Sequence, residues 1–351
     1  MRVVRTVLII LGITILLFVS FVTYITTTDL KPEEMEILSI KNNQMKEVPL
    51  GEEIVVTTYN IGYGGLDKSQ DFFADGGERS RAESLDSVRE NLDAVIETLD
   101  GTESDILVLQ EVDQNSSRSF GINQVGTLEE SYPNFGHIYG LNYRVPWVPV
   151  PVANPMGKVT SGIMTLTRYN AEGAARYQLP GEEDWPVYLF ELDRCITETR
   201  LKTVNDKELV VVNLHLSAFD KGGIIRLKQL EYLKNYLEAE YEKGNYIIAG
   251  GDWNHNLPGS DPMRFHADED WPFWLKDMPE DYTVEGFVWA VDPSSPTVRT
   301  LERPYVDGYN FKAVIDGFLL SDNIEVIAVE GIDNNFENTD HNPVKLTVRL
   351  K

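Results

Sequence analysis

Cysteine is all but missing from this chain: Cys195 is the only one in 351 residues. An intrachain disulfide and a thiolate-rich zinc site are therefore excluded. Cys195 falls in the strand-like stretch 188–199, where it reads as a small core residue and not as a nucleophile. Basic residues are also scarce, with 31 Lys and Arg against 56 Asp and Glu and a net charge of −25. Proteins hold nucleic acid largely by neutralising phosphates with Lys and Arg. So acidic a chain is poorly equipped for that, although a local basic groove stays open as an alternative. Internal repeats and low-complexity tracts are missing too. With 42% hydrophobic and 25% charged residues, the composition is that of a folded globular chain and excludes disorder.

One long apolar run is present. No charge occurs between Arg5 and Asp29, and residues 7–25 read VLIILGITILLFVSFVTYI. About 20 apolar residues cross a bilayer as a helix. Arg2 and Arg5 precede the run and no acid does, which predicts a cytoplasmic N-terminus with the bulk of the chain outside the cell. A cleaved signal peptide is the rival, but it needs a shorter apolar region and a small-x-small site. Tyr24-Ile25-Thr26-Thr27-Thr28 offers no such site, and no cysteine follows for lipid attachment. The expectation is a single-pass anchor over 1–28 in the cell membrane, a polar stalk over 29–52, and one globular domain over 53–351.

From residue 53 the pattern alternates strands and helices. Residues 54–60 (IVVTTYN), 106–110 (ILVLQ), 162–167, 188–199, 209–216 (LVVVNLHL), 246–249, 314–320, 324–329 and 344–350 predict strands. Residues 81–100 and 224–242 predict helices, with leucines and valines recurring at spacings of three and four. Residues 115–155 and 258–304 predict irregular loops, the first of them near a site.

Polar residues of interest share one placement, at or just after the end of an apolar strand. Asn60 ends IVVTTYN, Glu111 follows ILVLQ, and His215 sits in VVVNLHL. Asp252 and Asn254 follow YIIAGG, Asp316 lies in AVIDGFLL, and Asp340-His341 precede the last strand. Each alone has a bland reading: a cap, a core histidine, a turn. Together they form hard oxygen donors and imidazoles with almost no thiol, a set that suits Mg²⁺ or Mn²⁺.

YNIGYGG, QEVD, NLHLSA, GGDWNH, VIDGFLLS and TDHNPV also occur in the order found in the endonuclease/exonuclease/phosphatase superfamily. The resemblance spans residues 53–351. It implies a four-layered α/β sandwich of two packed mixed β-sheets flanked by helices, here preceded by one transmembrane helix. It implies metal contacts at Glu111, Asn60 and Asp340, and a water-activating role for Asp252. Asn254 resembles the donor to phosphoryl oxygens, His341 the imidazole at the phosphate oriented by Asp316, and His215 a second phosphate-contacting histidine. Outside those motifs, Arg118, Arg168 and Arg194 read equally as substrate contacts or salt bridges. Arg226 and Gln229 read as structural, His255 as a loop histidine, and the 271–274 Trp cluster as packing rather than a lipid wedge.

The expected function is metal-dependent hydrolysis of a small or lipid-linked phosphoester outside the membrane, by a monomer tethered through its N-terminal helix. A surface nuclease of the same fold, which would need a basic groove, and a catalytically silent binding domain, which would lack a central group, are the alternatives.

Overall fold

The computed structural model describes residues 2–351. Helix α1 (Arg2–Thr28) carries the whole apolar run, is long and apolar enough to cross a bilayer, and exposes nearly all of its side chains. There follow β1 (Met35–Ile37), β2 (Ile40–Lys41), β3 (Glu53–Asn60), α2 (Leu85–Gly101), β4 (Ile106–Asp113) and α3 (Gln124–Ser131). Next come β5 (Gly136–Val148), β6 (Gly157–Thr167), β7 (Ala171–Gln178), β8 (Cys195–Lys202), β9 (Glu208–His215), α4 (Ile224–Tyr241) and β10 (Tyr246–Asp252). Apart from two-residue bridges, the chain ends with β11 (Phe287–Ala290), β12 (Asp316–Ser321), β13 (Ile324–Gly331) and β14 (Val344–Leu350).

Two seven-stranded sheets result, ordered β1-β7-β8-β9-β10-β12-β11 and β13-β14-β3-β4-β6-β5-β2. Each mixes a parallel pair, β9 with β10 and β3 with β4, into antiparallel neighbours. Side chains alternate faces along a strand, and the strands use both faces. On β9, Val210, Val212 and Leu214 pack beneath Leu230, Leu233 and Leu237 of α4. Its Leu209 and Val211 turn the other way and meet Ile54, Val56, Ile106 and Val108 of the second sheet. On β4, Leu107 and Leu109 point outward to Leu92, Val95 and Leu99 of α2. The layers are thus helix, sheet, sheet, helix, as the resemblance implied. A buried polar tie crosses the middle: Gln110 Nε2 donates to Asn213 Oδ1 at 2.8 Å, and Asn213 Nδ2 donates to the Leu109 and Met164 carbonyls.

Several boundaries differ from those expected. Helix α2 starts at Leu85 and not at 81, because Ser84 caps it by accepting from Ser87 N at 3.0 Å. The supposed loop 115–155 holds α3 and the thirteen-residue strand β5. Bulges between Leu141 and Tyr143 and between Val145 and Val148 break the two-residue alternation there, which hides the strand from a periodicity reading. The 188–199 strand begins only at Cys195, set by its register against β7, a strand not anticipated. Strand β12 begins at Asp316 and not at 314, since the Val314 and Ile315 carbonyls accept from Leu257 N and Trp253 N. The 258–304 region is mostly irregular but supplies β11 at a sheet edge.

The 29–52 segment, expected as a stalk, is woven into the domain. Its β1 pairs with β7 and its β2 with β5, while Val48 is wholly buried and bridges Thr203. Edge strands add backbone hydrogen bonds along one side only, so a polar composition does not bar them.

Gly251 is fixed by geometry: at φ 148°, a Cβ there would sit 2.0 Å from the Leu214 carbonyl oxygen. Gly251→Ala is expected to cost about 3 kcal/mol. Gly101→Ala, where a Cβ meets nothing within 4 Å, is expected to be neutral or slightly stabilising. Thermal melts of the two variants in detergent separate these outcomes.

Candidate active site

The alternation that builds the core between the sheets also delivers the polar side chains. Along β9 the inward positions are Leu209, Val211, Asn213 and then His215. Along β10 they run Ile248, Gly250 and Asp252. Along β12 they run back from Leu320 through Phe318 to Asp316. Asp252 is directly opposite His215 on one side and Asp316 on the other. Three adjacent strands therefore set three functional groups side by side, at the open end of the cleft between the sheets. Asn60 ends β3 on the facing sheet and closes the group, its Nδ2 donating to Asp252 Oδ2 at 3.1 Å and reaching Glu111 Oε1 at 3.4 Å.

Glu111 arrives by a different device. The β4–β6 ladder shifts register between Leu109 and Val112, and Glu111 sits in that bulge at φ 57°. A non-glycine residue in this region carries backbone strain, which persists where the surroundings enforce it. Arg118 helps to do so: it is buried, grips Asp113 through two hydrogen bonds of 2.9 and 3.2 Å, and holds its third nitrogen 3.7 Å from Glu111. Its guanidinium lies 3.9 Å from the Tyr63 ring centre. Arg118 is thus a positioning residue rather than a free substrate contact.

His341 belongs to the chain leading into β14 of one sheet, and it bonds Asp316 of the other, Nδ1 to Oδ2, at 2.8 Å. Asp316 is itself fixed by its backbone N–H donating to Thr297 Oγ1 at 3.0 Å. His341 Nε2 is 3.8 Å from Asp252 Oδ2 and 4.0 Å from Asp340 Oδ2. Burial alone would strip its proton, but Asp316 and Asp340 outweigh burial and push its pKa up to about 10. His215 is buried as deeply and has no bonded carboxylate; its nearest is Asp252 at 3.4 Å. Burial, with Arg194 and His341 nearby, drives its pKa well below the usual value. One imidazole is held charged and the other neutral. Burial and the Asp316 charge push the Asp252 carboxyl upward. Burial, reinforced by Glu111 and only partly offset by His341, raises Asp340.

Asn254, at φ 50°, donates from Nδ2 to the Leu216 carbonyl at 2.8 Å, and its backbone N–H bonds Asp252 Oδ1 at 2.9 Å. Its second amide hydrogen is left for a ligand. Arg226 pins this loop by donating to the Asn254 and Trp274 carbonyls, each at 2.8 Å, and Gln229 fixes Ser217; both are structural, as expected. Arg194 lines the pocket, whereas Arg168 stacks on Phe135 elsewhere. His255 points away to the Trp253 carbonyl at 2.7 Å, and Cys195 is buried with its thiol pushed up to about 11. Trp274 lines the pocket and donates to Asp75 at 2.6 Å. Further pocket residues were not legible from the sequence: Tyr63, Asn142, Ser161 and Arg299. Tyr63 Oη and Asn142 Nδ2 are buried without a protein partner, as are His215 Nδ1 and Asp316 Oδ1. Only Tyr63 carried a signal, its place inside YNIGYGG.

The donor set fits a divalent cation. Asp252, Asp316 and His341 offer ligand atoms within 4.8 Å of one another. A protonated imidazole bonded to its carboxylate is not a metal ligand, however. Glu111 and Asp340 are the remaining carboxylates, mutually repelling and largely buried, with the Asn60 amide beside Glu111. An oxygen-seeking cation would relieve that repulsion.

Two mixed sheets packed face to face, helices on both outer faces, and a carboxylate–imidazole cluster at the mouth of the cleft define a class of phosphoesterase fold. The chain belongs to the Endonuclease/Exonuclease/phosphatase family, whose profile matches residues 57–338. No curated protein matches the sequence. Among solved structures, a family member from Beutenbergia cavernae superposes with a TM-score of 0.58 at 18% identity, over 85% of this chain and 72% of that one. ANGEL2, described as a 2',3'-cyclic phosphatase in complex with adenosine-2',3'-vanadate, gives 0.55 at 14% identity, over 92% and 99%. Danio rerio TDP2 with a single-strand DNA product gives 0.53 at 12% identity, over 85% and 99%. These likenesses are of fold.

Asp316→Asn removes the charge that keeps His341 protonated, so burial should then dominate, as it does at His215. The proton affinity of His341 is expected to fall at least about tenfold. A ¹⁵N NMR titration of the imidazoles reads this directly; an unchanged His341 would contradict the electrostatic account.

Proposed function

We propose that the protein is a divalent-metal-dependent phosphoester hydrolase, anchored by α1 as an uncleaved membrane span, with its catalytic domain outside. The substrate is a small or lipid-linked phosphodiester or phosphomonoester. The observation that carries this reading is the in-register alignment of His215, Asp252 and Asp316 beneath His341, with Glu111 and Asn60 facing them.

In phosphoryl transfer a protein mainly positions groups and stabilises charge. Mg²⁺ or Mn²⁺ held by Glu111, with Asp340 and Asn60 beside it, would polarise a phosphoryl oxygen and offset charge on the leaving oxygen. Asp252, its basicity raised by burial, is suited to take the proton of the attacking water. Protonated His341 offers Nε2–H to a phosphoryl oxygen while Asp316 fixes the orientation of its ring and keeps its charge. Neutral His215 and the free amide hydrogen of Asn254 are uncharged donors for the remaining oxygens. The pocket offers about 170 Å³, below the usual range for a whole ligand, so it suits a phosphoryl group with the rest of the substrate lying outside.

The nuclease alternative gains little support from the site. Of the arginines lining the pocket, Arg118 is committed to Asp113, Arg299 donates to the Leu66, Asp67 and Thr300 carbonyls, and only Arg194 has a loosely held guanidinium. No lysine lines the pocket among the described residues. A silent binding domain would lack a central group, and the sequence keeps all eight residues of the expected set.

Chelation with EDTA is expected to abolish hydrolysis of a chromogenic phosphodiester or monoester, with Mg²⁺ or Mn²⁺ restoring it. Glu111→Ala and Asp252→Ala should each lower kcat by at least about a thousandfold. A fully active variant of either residue, or activity indifferent to EDTA, would sink the mechanism.

A further inference from the structure

The anchor does not simply precede the catalytic domain. It packs against β5, and Phe21 stacks on Phe190 with ring centres 6.4 Å apart and planes 13° from parallel. Phe190 in turn packs, as do Phe72, Phe73 and Leu192, on an apolar cluster that contains Tyr143 and Met156. All five of these also line the active-site pocket. A continuous apolar path therefore joins the last turns of the membrane helix to the wall of the site.

The depth of that contact follows from helix geometry. The charge-free part of α1 that stays fully exposed is 6–20, and at 1.5 Å per residue it spans about 22 Å. The hydrocarbon core of a bilayer is about 30 Å thick. Phe21 to Ile25 must then lie within the membrane boundary as well, and Phe190 beside them at the lipid surface. Trp147 lies in β5, which α1 contacts, Val150 and Val152 follow that strand, and Trp185 and Val187 lead up to Phe190; all five are exposed, Val152 at 89% and Trp185 at 60%. Exposed tryptophans are at home at the headgroup boundary. Glu182, Glu183 and Asp184 precede Trp185, so the face suits a zwitterionic surface better than an anionic one.

A groove of about 830 Å³ starts at the foot of the anchor, at Asp29–Pro32. It shares Glu191, Leu192, Arg194, Ala218 and Phe219 with the active-site pocket, so the two spaces adjoin along these residues. A molecule leaving the outer leaflet beside α1 would meet this groove, which also carries Asp29, Glu182, Glu183, Glu191, Asp193 and Asp220, before it met the active-site pocket.

Building on the proposed hydrolase reading, we infer that the face formed by Trp147, Val150, Val152, Trp185 and Val187 rests on the bilayer that holds α1. The substrate is accordingly a phosphoester with an apolar tail drawn from that same leaflet along the groove.

The test uses the full-length chain in phosphatidylcholine nanodiscs whose acyl chains carry bromine near the headgroup. Bromine quenches tryptophan on contact. Wild-type emission should be quenched, and a W147F/W185F double variant should lose most of that quenching. Absent quenching, or quenching equal in the double variant, overturns the inference, as does mass spectrometry showing α1 removed from the mature chain. A second measurement compares a fluorogenic phosphodiester with two long acyl chains, seated in the disc, with its short-chain soluble counterpart. Val152→Asp combined with Trp185→Asp should lower long-chain turnover about tenfold and leave short-chain turnover within about twofold, because membrane seating scales with apolar contact. Equal losses, or none, overturn the inference. Short-chain hydrolysis without quenching defeats the inference alone. Quenching with neither ester hydrolysed defeats the hydrolase reading and the lipid substrate with it.

Discussion

The hydrogen bond from His341 Nδ1 to Asp316 Oδ2, 2.8 Å long, is the contact on which the site depends. Asp316 belongs to one sheet and His341 leads into the other, so the bond spans the cleft that holds the candidate site. It serves two ends. It fixes the face of the imidazole that looks into the pocket, and it keeps a buried histidine charged against a strong desolvation cost. It is possible only because β10 and β12 are in register, with Asp252 opposite Asp316. A slip of one residue would exchange the two faces of β12, turning Asp316, Phe318 and Leu320 to the helix-facing side. The Gln110–Asn213 tie and the close approach of Gly251 to Leu214 hold neighbouring strands against such a slip.

His215 and His341 illustrate how environment, not residue type, assigns chemical roles. Both are buried to a similar degree, 4% and 5% exposed. One has a carboxylate in hydrogen-bond contact and stays protonated. The other has Arg194 and a charged imidazole nearby and becomes neutral. Groups whose environments push proton affinities apart can divide donor and acceptor work at a single pH. In the proposed function Glu111 and Asp340, beside this pair, are the carboxylates that would hold a divalent cation.

Strongly acidic composition and an apolar N-terminal helix fit together in this reading. A negative surface discourages polyanions, and a helix long and apolar enough to span a bilayer would, as proposed, hold the domain where apolar phosphoesters are concentrated. Phe190 lies between Phe21 of the helix and the pocket wall, so the anchor becomes part of the architecture around the site.

Much of this was legible in the linear sequence. The apolar runs LVVVNLHL and YIIAGGD already read as strands, which puts His215 and Asp252 at strand ends. The run from residue 7 to 25 fixes a helix able to span a bilayer. Local pattern specifies faces and periods, however, and not partners. The pairing of 35–48 with both sheets, the length of β5 behind its bulges, and the burial of Asn142 and Arg299 in the pocket depend on contacts between distant segments. So does the strained bulge that aims Glu111, because it exists only when β4 is laid against β6. Which histidine is charged was equally beyond the sequence, since proton affinity is set by burial and by neighbours in space. The sequence determined the inventory and its order; tertiary structure decided the distances, the charges and the side of the domain that meets the apolar N-terminal helix.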